Sequence, residues 1–555
     1  MAIKRLKLSC DFETTTDKND VRVWAVCAVD IETAQTVFIT NSIEEFFEWL
    51  SNYNSVCYFH NLKFDSSFIL DYLLKHGYKY SEKPENKTFS TLITDMGVFY
   101  SITVIFEKKN KKYKKVVFYD SLKKLPFKVS VISKAFELKD EKLEIDYNAP
   151  REIGHELTDE ERQYIVNDCR IVAQALNIQF EQGLKKMTNA SDAMAWFKES
   201  IGKDKFERLF PVLPIALDAD IRRAYKGGFV WLKPEHRNQR GLQGLTLDVN
   251  SLYPWTMYTC LLPYGYPMAF EGEPMPDENY PLFIVRIRCE FEVKPEHIPT
   301  IQLKNNRAFV ETEYLESSNG EIVEMTLTNV DLQLFLDHYN VYNLEYVRGW
   351  KFKGMTGIFK PYIDYWMHIK ETTTGGLRQL AKLMLNSLYG KFATNPNGRK
   401  KIPYLDKETG IVKFKLSDPE EREPVYTAMG AFITAYAREK TIRSAQSVYN
   451  RFIYADTDSL HLIGHDEPPN LEIHPTKLGA WKNEGLFTDS KYIRAKTYME
   501  TINGVDKVTC AGMPENVKQL VTYDNFCSGS TFNGKLMPRR YNGGIVLEPT
   551  TFTIK

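Results

Sequence analysis

The 555-residue sequence has no charge imbalance, with Lys+Arg and Asp+Glu both at 72. A uniformly basic surface is therefore excluded, and any affinity for a polyanion has to be local. Two runs are candidates for it, Lys108-Lys109-Asn110-Lys111-Lys112-Tyr113-Lys114-Lys115 and Arg399-Lys400-Lys401; either equally suits a solvated loop. Cysteine is sparse, eight residues with no C-x-x-C pair and no repeating spacing. That speaks against a zinc site or disulfide scaffold and for reduced thiols. A signal peptide and a membrane-length apolar run are both missing, so a soluble, intracellular protein without a membrane partner is expected. Internal repeats and long low-complexity tracts are missing too. What is present is a chain with 43% hydrophobic residues, long enough for at least two cores.

The densest chemical signal is Tyr454-Ala455-Asp456-Thr457-Asp458-Ser459, flanked by Phe452-Ile453 and Leu460-His461-Leu462. In an extended chain alternate residues share a face, so Asp456 and Asp458 are expected to point the same way. Two such carboxylates repel unless a cation joins them, and hard divalent ions favour carboxylate oxygen. A hairpin turn built from Asp and Thr is the simpler alternative. Asp248, in the strand-like Thr246-Leu247-Asp248-Val249, offers a third carboxylate. Near the N-terminus Lys7 to Thr15 and Val21 to Val26 read as a hairpin with Asp11 and Glu13 on one face. Asp65 falls where the strand Ser55 to His60 hands over to a helix. Thr158-Asp159-Glu160-Glu161 is a capping box for a helix that carries Tyr164 and Asp168 on one side. Four carboxylates and a tyrosine at element ends point to a two-metal hydrolytic centre.

In order along the chain, D-x-E, N-x-x-F-D and Y-x-x-x-D resemble the three exonuclease motifs of the DnaQ-like proofreading domain of family B DNA polymerases. The resemblance implies that Asp11, Glu13, Asp65 and Asp168 are metal ligands and that Tyr164 positions the attacking water. It also implies that Lys142, just before Ile145-Asp146-Tyr147, steadies the scissile phosphate. Thr14, Tyr58, His60, Asn61, Phe64, Ser121 and Leu122 match residues that grip a single-stranded primer end, where aromatic rings stack on unpaired bases. Phe64 and Tyr58 equally suit a core position.

D-x-x-S-L-Y-P from Asp248, K-x-x-x-N-S-x-Y-G from Lys382 and Y-x-D-T-D-S are similar to motifs A, B and C of the same family. Lys382, Asn386 and Tyr389 fall on one helical stripe, Arg378 extends it by a turn, and Lys370 lies further up the same region. Such a cation row suits a triphosphate. By resemblance Tyr253 stacks under the deoxyribose and excludes a 2′-hydroxyl, the Val249 carbonyl joins Asp248, Asp456 and Asp458 around metal, and Lys496 and Tyr498 touch the primer backbone. Tyr225, Gly227 and Gly228 belong to a step where backbone approaches DNA closely; a plain tight turn is the alternative.

Two intervals, Pro263 to Lys360 and Asn395 to Pro424, match the terminal-protein-region insertions of protein-primed polymerases of small phi29-like tailed phages. The first is expected to hold strands Leu282 to Ile287 and Glu321 to Met325 and a helix from Asn329 to Tyr339. The implied fold is α/β (α+β) and multidomain. An RNase H-like exonuclease domain spans 1–190. A right-hand polymerase domain follows, with palm at 191–260 and 428–509, insertions at 261–359 and 395–427, fingers at 360–394 and thumb at 510–555. The implied function is a DNA-directed DNA polymerase with 3′–5′ exonuclease, protein-primed initiation on a linear phage genome and processive strand displacement, using two Mg²⁺ or Mn²⁺ ions per site. Its implied partners are primer-template and single-stranded DNA, dNTPs and a terminal protein in a heterodimer. It would otherwise be a monomer, in the cytoplasm of an infected bacterium. Three positions depart from the pattern: Ala455 in the variable slot of motif C, Tyr365 where relatives carry a basic residue, and a short interval from Met499 to Thr509. A non-catalytic DNA clamp and a nuclease with a vestigial polymerase half are the alternatives. Intact carboxylates at both sites argue against the first, and the complete cation stripe argues against the second.

Overall fold

The computed structural model describes residues 5–302, Lys111 apart, and 314–555. Lys111 of the first basic run and residues 303–313 of the first insertion lie outside them.

The N-terminal part is built on an eight-stranded sheet in the order Thr36–Thr40, Val23–Asp30, Arg5–Thr14, Asn54–Phe59, Lys112–Asp120, Phe99–Lys109, Thr88–Ile93, Lys79–Tyr80. Its middle strands are apolar on both faces, as strands covered by helices on both sides must be. Val26 and Ala28 face one core with Phe46, Phe47 and Phe68, from the helices Ile43–Leu50 and Leu62–Lys75. Cys27 and Val29, alternating with them, face the other core with Ile165 and Leu176 of the helix Asp159–Glu181. That helix starts at the expected capping box, with the Thr158 and Glu161 side chains bonded reciprocally to backbone. All eight cysteines are unpaired.

The second part centres on a five-stranded sheet, Trp481–Phe487, Gly244–Val249, Ser459–Ile463, Phe452–Asp456, Val230–Leu232. The helix Thr427–Ser447 packs Ala437, Ile442 and Ala445 against Leu245, Leu247 and Leu460 on one face. The other face joins a three-stranded sheet, Asp489–Arg494, Thr497–Ile502, Val505–Cys510, through Tyr454, Tyr492 and Phe487. The short interval from Met499 to Thr509 is thus a hairpin. It turns at Asn503-Gly504, both left-handed (φ 52° and 74°), which is the geometry a two-residue hairpin turn demands. The motif B residues lie on the helix Gly375–Phe392, packed beside the helices Lys360–Thr372 and Asn189–Ile201.

The first insertion carries its own antiparallel sheet, Leu262–Glu271, Tyr339–Met355, Leu282–Val293, Val323–Thr328, with the helix Asn329–His338. Its last-named strand begins two residues later than expected from Glu321, because Asn319 and Gly320 are both left-handed and hold the chain in a turn. The second insertion contains the hairpin Lys401–Leu405 with Val412–Leu416. A long hairpin, Thr531–Tyr541 with Gly544–Thr553, closes the chain.

Two candidate active sites

In the N-terminal part, neighbouring elements converge on one acidic spot. Asp11 and Glu13 come from the strand Arg5–Thr14, Asp65 from the first turn of Leu62–Lys75, and Tyr164 and Asp168 from Asp159–Glu181. Burial, and then the Asp168 charge, push the Asp11 carboxyl up to about 7. Burial and then Asp11 raise Glu13 and Asp65 well above the usual carboxylate range. The Lys142 ammonium pairs with Asp168 and donates to the Tyr164 hydroxyl at 3.1 Å. Asp168 Oδ1 is buried without a partner. Four carboxylates, three of them raised by a neighbouring carboxylate, one lysine and one idle oxygen make a site that a hard divalent cation fits. Among the described residues no three His, Cys, Asp or Glu side chains are posed to hold an ion by themselves. Magnesium sites ordinarily complete their shell with water and substrate phosphate, so a carboxylate-only cage is not required.

In the second part the adjacent strands Gly244–Val249, Ser459–Ile463 and Phe452–Asp456 bring Asp248 level with Ser459 and Asp456 opposite the same residue. The single extended strand expected through Asp456 and Asp458 is not what forms. The strand ends at Asp456, Thr457 is left-handed (φ 59°), and the Asp458 N–H donates to the Asp456 carbonyl at 2.7 Å. The turn and the carboxylate cluster are therefore one feature. The Asp458 carbonyl accepts from Val249 N–H at 2.8 Å, locking motif A to motif C. Burial, and then Asp458, push Asp248 up to about 7. Burial raises Asp458 as well, with Asp456 adding to it.

Around this cluster Tyr253 and Tyr389 stack with ring centroids 3.9 Å apart. Lys382, Asn386 and Tyr389 share the outward side of their helix, but Lys370 belongs to the preceding helix, where it donates to Ser251 Oγ at 3.0 Å. Burial and then the Lys382 and Arg378 charges depress the Lys370 ammonium. Two cations close enough to depress a third suit an anionic ligand.

Lys496 is left-handed (φ 55°) and precedes the strand Thr497–Ile502, so strand alternation does not bring Lys496 and Tyr498 together. The Asp456 carboxylate does. It accepts from Lys496 Nζ at 2.8 Å and from Tyr454 OH at 3.2 Å, and the Tyr454 ring lies 5.2 Å from that of Tyr498.

Gly228 abuts motif C, where a Cβ on it would stand 2.6 Å from Thr457 Oγ1, whereas a Cβ on Gly227 would meet nothing within 4 Å. Tyr225 is half-buried in the same loop.

The proposed single-strand contacts divide. Asn61 and Phe64 line a cleft of about 910 Å³, shared with Lys401 and Tyr404 of the second insertion and Arg539 and Arg540 of the C-terminal hairpin. Leu122 lines a second cleft of about 910 Å³ with Lys391, Lys400 and Arg422. Thr14 ends its strand at a bulge beside Glu13. His60 is held by Ser121 Oγ at 2.9 Å and the Phe127 carbonyl at 2.7 Å, and Ser121 is fully buried. The Tyr58 ring is 5% exposed and packs on Tyr119 and Phe180. In this structure Tyr58 is a core residue and Ser121 an internal brace, not surfaces for a base.

The sequence reading missed four contributors. Lys482 and Glu484 face Asp248 from the adjacent strand, Tyr147 brings its hydroxyl against that of Tyr164, and Arg438 ties the Lys226-Gly227 carbonyls to Asp331. Only Tyr147, in the quoted Ile-Asp-Tyr, had a local signal.

A family model described as DNA polymerase type B, organellar and viral, matches residues 48–474. The chain is 48% identical to the DNA polymerase of Bacillus phage phi29 over 99% of both chains. It is 47% identical to that of Bacillus phage B103 over 99% of this chain and all of the relative, and 35% identical to that of Streptococcus phage Cp-1 over 98% of both. Among solved structures, phi29 DNA polymerase complexed with primer-template DNA superposes with a TM-score of 0.96 at 46% identity, covering both chains fully. The same enzyme with primer-template DNA and incoming nucleotide superposes at 0.95 and 47% identity.

Proposed function

The chain belongs to the type B DNA polymerases of organelles and viruses, in their phi29-like phage branch, and from that premise we propose that one chain elongates DNA, proofreads it from the 3′ end and starts synthesis on a protein hydroxyl. The observation that carries the double activity is the pair of carboxylate clusters, which share no residue and sit on different sheets.

For elongation, Asp248 and Asp458, with Asp456 beside them and the Val249 carbonyl, would hold two Mg²⁺ or Mn²⁺ ions. Asp11, Glu13, Asp65 and Asp168 would hold the pair in the other site. Such ions, when bound, acidify a coordinated hydroxyl or water and neutralise charge growing on phosphate. Lys370, Arg378 and Lys382 take the triphosphate oxygens while a primer 3′-hydroxyl attacks the α-phosphate and pyrophosphate leaves. The Tyr253 ring, braced by Tyr389, fills the place of a ribose 2′-hydroxyl. In the exonuclease, Tyr164 orients the water and Lys142 steadies the scissile phosphate. Asn61 and Phe64 receive the frayed strand in the cleft toward the C-terminal hairpin. Phi29 DNA polymerase has been solved with single-stranded DNA, which supports a single-strand path of this kind.

The first insertion, a separate sheet beside the palm, is our candidate dock for the terminal protein. The second insertion, lining both clefts, is our candidate for enclosing DNA during strand displacement in the cytoplasm of the infected cell. Among the described residues no helix is long and apolar enough to cross a membrane.

The test is reciprocal. Asp458→Ala should abolish nucleotide addition and leave 3′–5′ degradation of single strands, and the double variant Asp11→Ala, Asp65→Ala should do the converse. If Asp458→Ala folds yet loses degradation equally, the two-site reading fails. Labelled dNMP transfer to a cognate terminal protein without primer tests protein priming, which no transfer by the intact pair would refute.

A further inference from the structure

One wall of the exonuclease-like site has no regular structure. Between the helices Val129–Ala135 and Asp159–Glu181 the chain forms only turns and bends, yet this strap delivers two of the site's groups. Lys142 reaches Asp168 and Tyr164, and the Tyr147 hydroxyl meets that of Tyr164. A segment without a backbone ladder must be placed by side chains.

One side chain is built for that task. Arg151, its side chain 4% exposed, uses its whole guanidinium. Nη2 donates to the Asp146 carbonyl at 3.0 Å and Nη1 to the Ala149 carbonyl at 3.1 Å, so the two bonds bracket Tyr147. Nε donates to Glu161 Oε1 at 2.8 Å. The guanidinium lies 4.0 Å over the Trp24 ring, on the strand that pairs with the one bearing Asp11 and Glu13. The Arg151 carbonyl in turn accepts from Arg22. Glu161 is itself fixed, accepting from Thr158 N–H at 3.0 Å and bonded to His155 at 2.7 Å through Oε2. It stands one turn before Tyr164 and two turns before Asp168 on the same helix.

We propose that Arg151 is a positioning residue for the 3′–5′ exonuclease reaction. By gripping the turn that presents Tyr147 and the helix that presents Tyr164 and Asp168, it sets the spacing between the strap groups and the helix groups. The inference rests on the proofreading reading above. A lysine cannot replace it, because an ammonium on a flexible stem lacks the planar fork that satisfies two carbonyls and a carboxylate at once. Misplacing catalytic groups by about 1 Å lowers turnover on the order of 100-fold at the extreme.

The experiment measures kcat and KM for single-strand degradation in the full-length wild type and in Arg151→Met, Arg151→Lys and Asp11→Ala, with primer extension assayed on the same preparations. Expected for Arg151→Met is a fall in kcat of about tenfold or more, with KM within twofold and primer extension unchanged. The KM expectation follows because the Asn61 and Phe64 cleft is walled by the second insertion and the C-terminal hairpin, not by the strap. Arg151→Lys should recover only a minor part of kcat. A kcat within twofold of wild type in Arg151→Met overturns the proposal, as does full recovery by lysine. Parallel loss of kcat, KM and primer extension overturns it too, since that pattern marks a general folding role. A different failure is separable: if Asp11→Ala degrades DNA as fast as wild type, the proofreading reading falls first and this inference with it.

Discussion

Arg438, on the helix Thr427–Ser447, is 2% exposed and connects three distant segments. Its Nε and Nη2 donate to Asp331 Oδ1 at 3.1 and 2.8 Å, Nη2 reaches Oδ2 at 2.8 Å, and Nη1 donates to the carbonyls of Lys226 and Gly227 at 2.9 and 2.8 Å. Burial pushes the Asp331 carboxyl up, but Arg438, Lys226 and Thr328 together hold it below the usual range. Arg438→Met strips Asp331 of its countercharge and leaves two carbonyls without their donor. Breaking a buried pair from one side costs about 3–5 kcal/mol. With an unfolding entropy of about 2.1 cal/mol/K per residue, the roughly 365 residues from 191 to 555 lose about 1.3 °C in Tm per kcal/mol, so the transition of the polymerase part should fall by roughly 4 to 7 °C. Adding Asp331→Leu removes the stranded charge, and the double variant should regain part of that loss. Scanning calorimetry of the full chain reads the shift. Primer extension below both transitions should fall more than single-strand degradation, because the released Lys226-Gly227 loop abuts motif C. An Arg438→Met transition within about 2 °C of wild type, or a double variant melting below the single, would refute the reasoning.

Gly228→Ala should cut primer extension about tenfold or more while sparing degradation, since its Cβ would fall 2.6 Å from Thr457 Oγ1 and 2.8 Å from Thr457 Cγ2, between the two motif C carboxylates; extension within twofold of wild type would remove packing as the reason for glycine. Tyr253→Val should raise the ratio of ribonucleotide to deoxynucleotide incorporation with little loss of dNTP use, and an unchanged ratio in an active variant would place the sugar gate elsewhere. Burial pushes His338 down to about 4, against the Ile298 carbonyl and Asp337 that favour its charged form and with His297 and Arg443 adding to the depression. The unfolded chain therefore binds the extra proton first, so the stability of the first insertion should be complete above about pH 6.5 and decline toward pH 4 by about 1.4 kcal/mol per unit. His338→Asn should flatten that slope in melting curves taken between pH 7.5 and 5, and an identical slope in both proteins would show that His338 is not its source.

What could be read from the sequence was whatever depends on residues a few positions apart. The Thr158 capping box, the strand that carries Asp11 and Glu13 and the helix that carries Lys382, Asn386 and Tyr389 all follow from local hydrogen bonding and from the period of apolar residues. Chain-wide motif order extended that reading to the family and, through the resemblance, to the fold class. The tertiary structure alone decided which side chains of suitable type are used. Tyr58 and Phe64 look alike in sequence, but one faces a core filled by Tyr119 and Phe180 and the other a cleft whose far walls come from the second insertion and the C-terminal hairpin. Thr457 and Lys496 take left-handed backbone that breaks the strand alternation, and Asp456 then gathers Lys496 and Tyr454 across 40 and 2 positions. Arg438 meets Asp331 over 107 positions and Arg151 grips a strap with no periodicity of its own. Local patterns are set by short-range sterics and hydrogen bonds, which each window of residues carries within itself. Burial, pairing and the raised carboxylates of both sites depend on what the fold packs against them, which no window contains.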